Sequence, residues 1–246
     1  SMATYMTKDN ILFSNDAFGQ HYASERLFND LVDQGDLFKE AIKYYANILA
    51  PFSQVLRKKL EEIRSLELAI DIIATSHGVI WRDKPMQIVE AYSQWANDYK
   101  ENQITIIYDT MWNGTKKIAE KIALGIELAD PAVVVKVFNL SKSDQNDLIT
   151  EVFKSKQVVI GSPTINRSIL HSIAGFLHLM KELKFKNKKA AAFGCYGWSG
   201  ESTKVINELL GDAGFEIIDE GFRNQWNPNE ERQLDAIEYG KKIANA

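Results

Sequence analysis

The sequence predicts an α/β protein whose second part, residues 101–246, is a doubly wound, five-stranded parallel sheet of order 2-1-3-4-5. Three observations predict it. Short apolar runs rich in β-branched residues recur at regular intervals along this part. Amphipathic stretches long enough for helical crossovers separate them. Right-handed crossovers then leave helices on both faces of the sheet.

The strands are expected at Ile104–Tyr108, Val133–Phe138, Val158–Gly161, Ala190–Gly194 and Phe215–Ile218. The helices between and after them are expected at Thr115–Leu128, Ser143–Phe153, Ser168–Leu183, Ser202–Asp212 and Asn229–Ala244. Upstream, Ile11-Leu12-Phe13 reads as a strand running into a Ser14-Asn15-Asp16 loop. A helix is expected over Ser24–Val32, and a longer one over Leu37–Ile63 that Pro51 should kink or split. Leu68–Ala74 reads as a buried strand ending in Thr75-Ser76-His77-Gly78. Pro85 opens a helix running to about Tyr99. The polar Lys100-Glu101-Asn102 marks a linker, which divides the chain into residues 1–100 and 101–246.

Bulk properties narrow the function. The chain has 246 residues, 29 Lys and Arg against 33 Asp and Glu, a net charge of −4 and no long basic run. Non-specific nucleic-acid binding is not expected. No apolar run approaches the roughly 20 residues that span a bilayer, and no signal peptide is evident. The single cysteine, Cys195, excludes an intramolecular disulfide and fits a cytoplasmic setting. The opening Ser1-Met2-Ala3-Thr4 is expected to be the cut edge of a longer protein.

In this topology a ligand crevice lies at the carboxyl ends of the first, third and fourth strands. The first loop there is Asp109-Thr110-Met111-Trp112-Asn113-Gly114-Thr115-Lys116. It brings two hydroxyls, an amide, a glycine and free N–H groups to a helix N-terminus, an arrangement suited to a phosphate. The Walker spacing is absent. The alternative is a plain Asx/Gly turn with a helix cap. The second loop is Gly161-Ser162-Pro163-Thr164-Ile165-Asn166 and the third Gly194-Cys195-Tyr196-Gly197-Trp198-Ser199-Gly200-Glu201. Glycines let the backbone approach a ring edge, and aromatics offer stacking faces. The alternative for Trp198 is a loop aromatic folded onto the core. Together the three loops point to a phosphorylated flat heterocycle, a flavin mononucleotide (FMN). Cys195 has no activating neighbour in sequence and is expected to be a small packing residue. Arg167 and Ser168 are candidates for shaping the pyrimidine edge.

Residues 101–246 resemble flavodoxins throughout. In that family the first loop holds the FMN phosphate and the other two border the isoalloxazine. The usual phosphate loop, T/S-x-T/S-G-N-T, here becomes Thr110-Met111-Trp112-Asn113-Gly114-Thr115, with Trp at the third position and Asn-Gly inverted. The departure points to a subfamily.

Two strands and long helices make residues 1–100 a poor domain by themselves. Asp16 and His77 each follow a strand and are candidate metal ligands. The alternatives are a loop or helix cap for Asp16 and a hydrogen-bonded loop histidine for His77. Phe13–Ala23 and Ala74–Arg82, joined to a flavodoxin-like part, resemble flavodiiron proteins, the A-type flavoproteins that include the flavorubredoxins. The resemblance implies that residues 1–100 are the C-terminal part of a metallo-β-lactamase-like α+β di-iron domain. Asp16 then matches the family's bridging aspartate and His77 its last histidine. No H-x-E-x-D-H motif occurs, so the di-iron centre is expected to be incomplete or absent in this chain. His21 is expected to be supporting or structural, and His171 and His178 surface or packing residues.

The resemblance further implies oxygen or nitric oxide reduction, a rubredoxin-like electron donor, a head-to-tail homodimer and a missing N-terminal half. Trp112 and Trp198 would flank the flavin, line the path to the iron domain, or pack an interface. The remaining alternatives are a flavodoxin-type electron carrier and a non-catalytic module that pairs with another chain.

Overall fold

A computed structural model describes residues 2–246; Ser1 lies outside the described residues. The chain divides into two compact units, Ser1–Tyr99 and Lys100–Ala246.

In the first unit, strands β1 (Thr4–Met6), β2 (Ile11–Asn15) and β3 (Ile72–Thr75) form one sheet in the order β1-β2-β3. β2 runs antiparallel to β1 and parallel to β3. Helix α1 (Gln34–Tyr44) starts on the Asp33 carboxylate, which accepts from the Asp36 N–H at 2.9 Å. The chain then passes through a π turn (Tyr45–Leu49) and a 3-10 turn (Ala50–Phe52) into α2 (Ser53–Ser65). Pro51 lies in the 3-10 turn; lacking an N–H and crowding the preceding turn, it splits the expected long helix. Helix α3 (Met86–Trp95) follows. Its Tyr92 packs with Phe18, Tyr45 and Trp95 in an aromatic core, at ring distances of 4.9, 5.1 and 5.4 Å.

Three expectations for this unit are corrected. Residues Ser24–Val32 form no α-helix. Phe28 bridges Ile80, and only Asn29–Leu31 make a 3-10 turn. The buried Asn29 side chain accepts from the N–H groups of Arg82 and Asp83 and donates to the Asp83 carbonyl, which holds this stretch extended. The strand expected from Leu68 begins only at Ile72, where pairing with β2 starts. β1 was not foreseen; it is short and largely exposed, so no apolar alternation marks it.

In the second unit, strands β4 (Glu101–Tyr108), β5 (Val134–Asn139), β6 (Ser155–Gly161), β7 (Lys189–Tyr196) and β8 (Glu216–Ile217) form a parallel sheet in the order β5-β4-β6-β7-β8. Counted along the chain, that is 2-1-3-4-5. Helices α4 (Gly114–Ala129), α5 (Gln145–Lys154), α6 (His171–Leu183), α7 (Ser202–Asp212) and α8 (Glu230–Ala244) supply the crossovers and the final layer. Ile104 and Ile106 of β4, Val159 of β6 and Phe193 of β7 meet Ile118, Ile122 and Ile126 of α4 in the core beneath the site.

Two details differ from expectation. Glu101 and Asn102, expected in a linker, belong to β4. The fifth strand is broken: β8 pairs with the start of β7, and a separate strand β9 (Phe222–Gln225) pairs with its end. The Asp219 carboxylate holds the crossing between them. It accepts from the Gly221 N–H at 2.8 Å, the Tyr239 hydroxyl at 2.7 Å and Lys242 Nζ at 2.7 Å.

Candidate functional site

The loop after β4 is tied down by one carboxylate. Asp109 is buried, and it accepts from its neighbour's N–H (Thr110, 2.8 Å) and from the hydroxyls of Ser141 and Ser172, the latter at 2.5 Å. Asn113 then turns the chain at a φ of 64°, a left-handed conformation asparagine tolerates well. Helix α4 begins at the next residue, leaving its first N–H groups without carbonyl partners. Beside them lies the Thr115 hydroxyl, buried and satisfied by no hydrogen bond of good geometry; the Cys195 thiol is the polar group next to it. Burial pushes that thiol up to about 11, partly offset by the nearby polar side chains of Thr115 and Asn224. It stays protonated near neutral pH and is not a nucleophile.

The second loop is pinned to the third. The Ser162 N–H donates to the Phe193 carbonyl at 3.2 Å, and the Thr164 N–H to the Cys195 carbonyl at 2.8 Å. The Ser162 hydroxyl accepts from the Leu170 N–H at 3.0 Å. Ile165 bridges Ser168 across a tight turn in which Asn166 and Arg167 both have positive φ, 48° and 60°. Arg167 points to solvent and pairs with Glu201 at 3.4 Å.

These elements enclose a cleft of about 480 Å³, in the range of small-molecule sites. Of the expected residues, Thr110, Met111, Trp112, Gly114 and Thr115 line it from the first loop, Pro163 and Thr164 from the second, and Cys195, Tyr196 and Gly197 from the third. Asn113 borders a second, polar cleft with Asp109, Lys116 and His171. Ser162 and Gly194 are buried in the supporting backbone, and Ile165, Asn166, Ser199 and Gly200 are not among the lining residues. Trp198 is 95% exposed and also lies outside the lining, so it is neither folded onto the unit's core nor part of the cleft wall. Two lining residues were missed: Trp226 and Asn227, in the turn after β9. The turn-forming Asn227-Pro228-Asn229 ahead of α8 was the available signal.

In the first unit, His77 Nε2 and Asp16 Oδ1 stand 3.3 Å apart, each side chain about half exposed. The His21 ring lies 5.7 Å from that of His77 and packs against Tyr44. The two expected ligands therefore meet. Among the described residues, however, no group of three or more His, Cys, Asp or Glu converges as a metal site. A pair does not fit a di-iron centre, which needs several ligands for each metal ion.

The cleft does fit FMN. An orphan buried hydroxyl and free helix N–H groups stand at one end, and aromatic faces line the rest. Comparison with known proteins agrees. A family model described as flavodoxin matches residues 106–240. Anaerobic nitric oxide reductase flavorubredoxins from Vibrio vulnificus and Escherichia coli O1:K1 are each 50% identical over 244 residues, 99% of this chain but 49% and 51% of those proteins. The chain thus spans about half the length of the curated relatives it matches. Among solved structures, rubredoxin oxygen:oxidoreductase from Desulfovibrio gigas superposes with a TM-score of 0.94 at 32% identity, covering 100% of this chain and 61% of that one. The flavodiiron protein from Giardia intestinalis gives 0.93 at 31%, covering 100% and 60%. No helix among the described residues is long and apolar enough to cross a membrane. The chain belongs to the flavodoxin family, whose domain binds FMN, and along its whole length it is a relative of the flavodiiron flavorubredoxins.

Proposed function

We propose that this chain is the FMN-bearing electron-transfer part of a flavodiiron-type reductase. The observation that carries this reading is the unsatisfied Thr115 hydroxyl at the start of α4, at one end of a cleft with aromatic walls. Bound there, FMN supplies one- and two-electron redox chemistry. The residues of the chain bind and orient it. Thr110, Gly114 and Thr115, with the α4 N-terminus, take the phosphate through neutral donors and the helix dipole. Pro163, Thr164, Tyr196 and Gly197 border the ring system, and the protonated Cys195 packs beneath the phosphate loop.

Under this reading residues 101–246 are the FMN domain and residues 1–100 the end of a metallo-β-lactamase-like di-iron domain. Asp16 and His77 are two donors of a metal site that other residues complete. The names of the relatives supply the proposed activities: nitric oxide reduction, or oxygen reduction fed by a rubredoxin-like donor. The working assembly is a homodimer. A second reading, a flavodoxin-type carrier, is favoured by the flavodoxin family model that matches residues 106–240.

Flavin and iron analysis of the purified chain tests both. About one FMN per chain, released by acid and matching FMN on chromatography, supports the cofactor assignment. Protein that is colourless and ignores added FMN refutes it. Iron bound when the chain is joined to a segment that supplies the remaining ligands favours the reductase reading; none there, with reversible flavin reduction, favours the carrier.

A further inference from the structure

The turn that follows β9 is held in an unusual shape. Trp226 has a φ of 58°, a left-handed conformation that a bulky residue adopts only where its surroundings enforce it. Here they do. Its N–H donates to the Tyr196 carbonyl at 2.7 Å, and Gln225 Nε2 donates to the Gly197 carbonyl at 3.1 Å. Asn224, itself 1% exposed, donates through Nδ2 to the Trp226 carbonyl at 2.9 Å and accepts from Arg232 Nε at 3.2 Å. Arg232 Nη2 also donates to the Arg223 carbonyl at 2.6 Å.

These bonds lay the indole on Gly197, where an added Cβ would come within 2.8 Å of the ring. Yet the indole is 65% exposed and lines the cleft, so core packing does not account for its position. The next residue reaches the first loop. Asn227 Oδ1 lies 3.7 Å from where a Cβ on Gly114 would stand, at the first residue of α4. Its amide, turned over, presents two N–H donors to the same place. One turn thus offers an aromatic plane beside Gly197 and an amide beside the phosphate loop.

Building on the FMN reading of the cleft, we propose that Trp226 and Asn227 form its fourth wall: the indole covers the flat ring system, and the Asn227 amide donates to the phosphate. The ligand class this wall selects is a planar heterocycle carrying a phosphomonoester, over the same heterocycle without one.

The full chain, stripped of flavin, is titrated with FMN and with riboflavin by flavin fluorescence. Trp226→Ala is expected to weaken both by roughly tenfold, and Trp226→Phe to recover most of that loss. Asn227→Ala is expected to weaken FMN by roughly tenfold and riboflavin by less than about twofold. Circular dichroism of each flavin-free variant checks the fold, and Trp226→Leu, expected to bind FMN as weakly as the alanine variant, keeps the test meaningful should that variant unfold. Wild-type affinity for FMN in a folded Trp226→Ala and in Asn227→Ala overturns the proposal. Equal weakening of FMN and riboflavin by Asn227→Ala overturns the phosphate contact. A wild-type chain that binds neither ligand overturns the FMN reading itself, and the wall with it.

Discussion

The two units carry the same kind of promise and keep it differently. In the second, segments widely separated in sequence deliver backbone, hydroxyl and aromatic groups to one cleft, each held by bonds to its neighbour. In the first, two side chains meet at 3.3 Å and nothing else among the described residues joins them as a metal site. A flavin cleft is a local product of one sheet, because a parallel sheet brings all its strand-end loops to one edge. A metal centre needs several charged ligands converging on one point, and two half-exposed groups lack the donors to hold a cation.

The contrast can be broken or sharpened experimentally. The largest effect is expected at Thr115. Thr115→Val keeps the side-chain shape but removes the hydroxyl that awaits a partner. FMN affinity should fall by about 1.5–3 kcal/mol, the range for hydrogen bonds to charged groups, with riboflavin little changed. Equal affinity for FMN in the variant, measured by fluorescence titration, would place the phosphate elsewhere.

Next comes Asp219, which holds the broken fifth strand under the missed Trp226 turn. Burial alone raises its pKa, but hydrogen bonds from Lys242, Tyr239 and the Gly221 N–H outweigh this and hold it below 3.8. A depressed folded-state pKa stabilises the fold above the unfolded value, and that stability is lost as pH falls through the folded one. Asp219→Asn should therefore lower the unfolding free energy at pH 7 by on the order of 1–2 kcal/mol for partly exposed bonds, read from denaturant melts. The difference from wild type should shrink below about pH 4. A gap that does not narrow at all as pH falls below about 4 would count against the carboxylate as its source.

Smaller is the effect on Cys195. With its thiol near 11, alkylation by iodoacetamide at pH 8 should run at least about tenfold slower in the folded chain than in denatured protein. Bound FMN should slow it further; faster alkylation with FMN present would remove Cys195 from the cleft. The smallest is at His77. The exposed Asp16–His77 contact should contribute at most about 1 kcal/mol, so His77→Ala should leave both stability and FMN affinity nearly unchanged. A fall in Tm of more than about 8 °C would show that the pair is structural.

Most of the second unit was legible from residue order. Strands such as Val158–Gly161 are near-continuous apolar runs, and helices such as Ser202–Asp212 repeat their apolar positions every three or four residues. The turn between β4 and α4 was legible as well, since a strand, an Asn-Gly turn and a helix start are all local features. The Ser24–Val32 helix misled because the amide of Asn29 bonds to residues more than fifty positions away. Trp226 escaped because nothing in its own neighbourhood announces a left-handed tryptophan; partners on Tyr196, Asn224 and Arg232 impose it.

Sequence alone therefore determined the alternation of elements, the parallel sheet, its order and the loops at its ligand edge. The alternation and the parallel sheet follow from local periodicity and the handedness of short crossovers, and the order is the economical one for a doubly wound sheet of five strands. Only the tertiary structure decided that Trp198 stands in solvent while Trp226 lines the cleft, that the buried Thr115 hydroxyl faces the start of α4, and that Asp16 meets His77. Those facts depend on which distant groups come within hydrogen-bonding reach, and no local pattern encodes that.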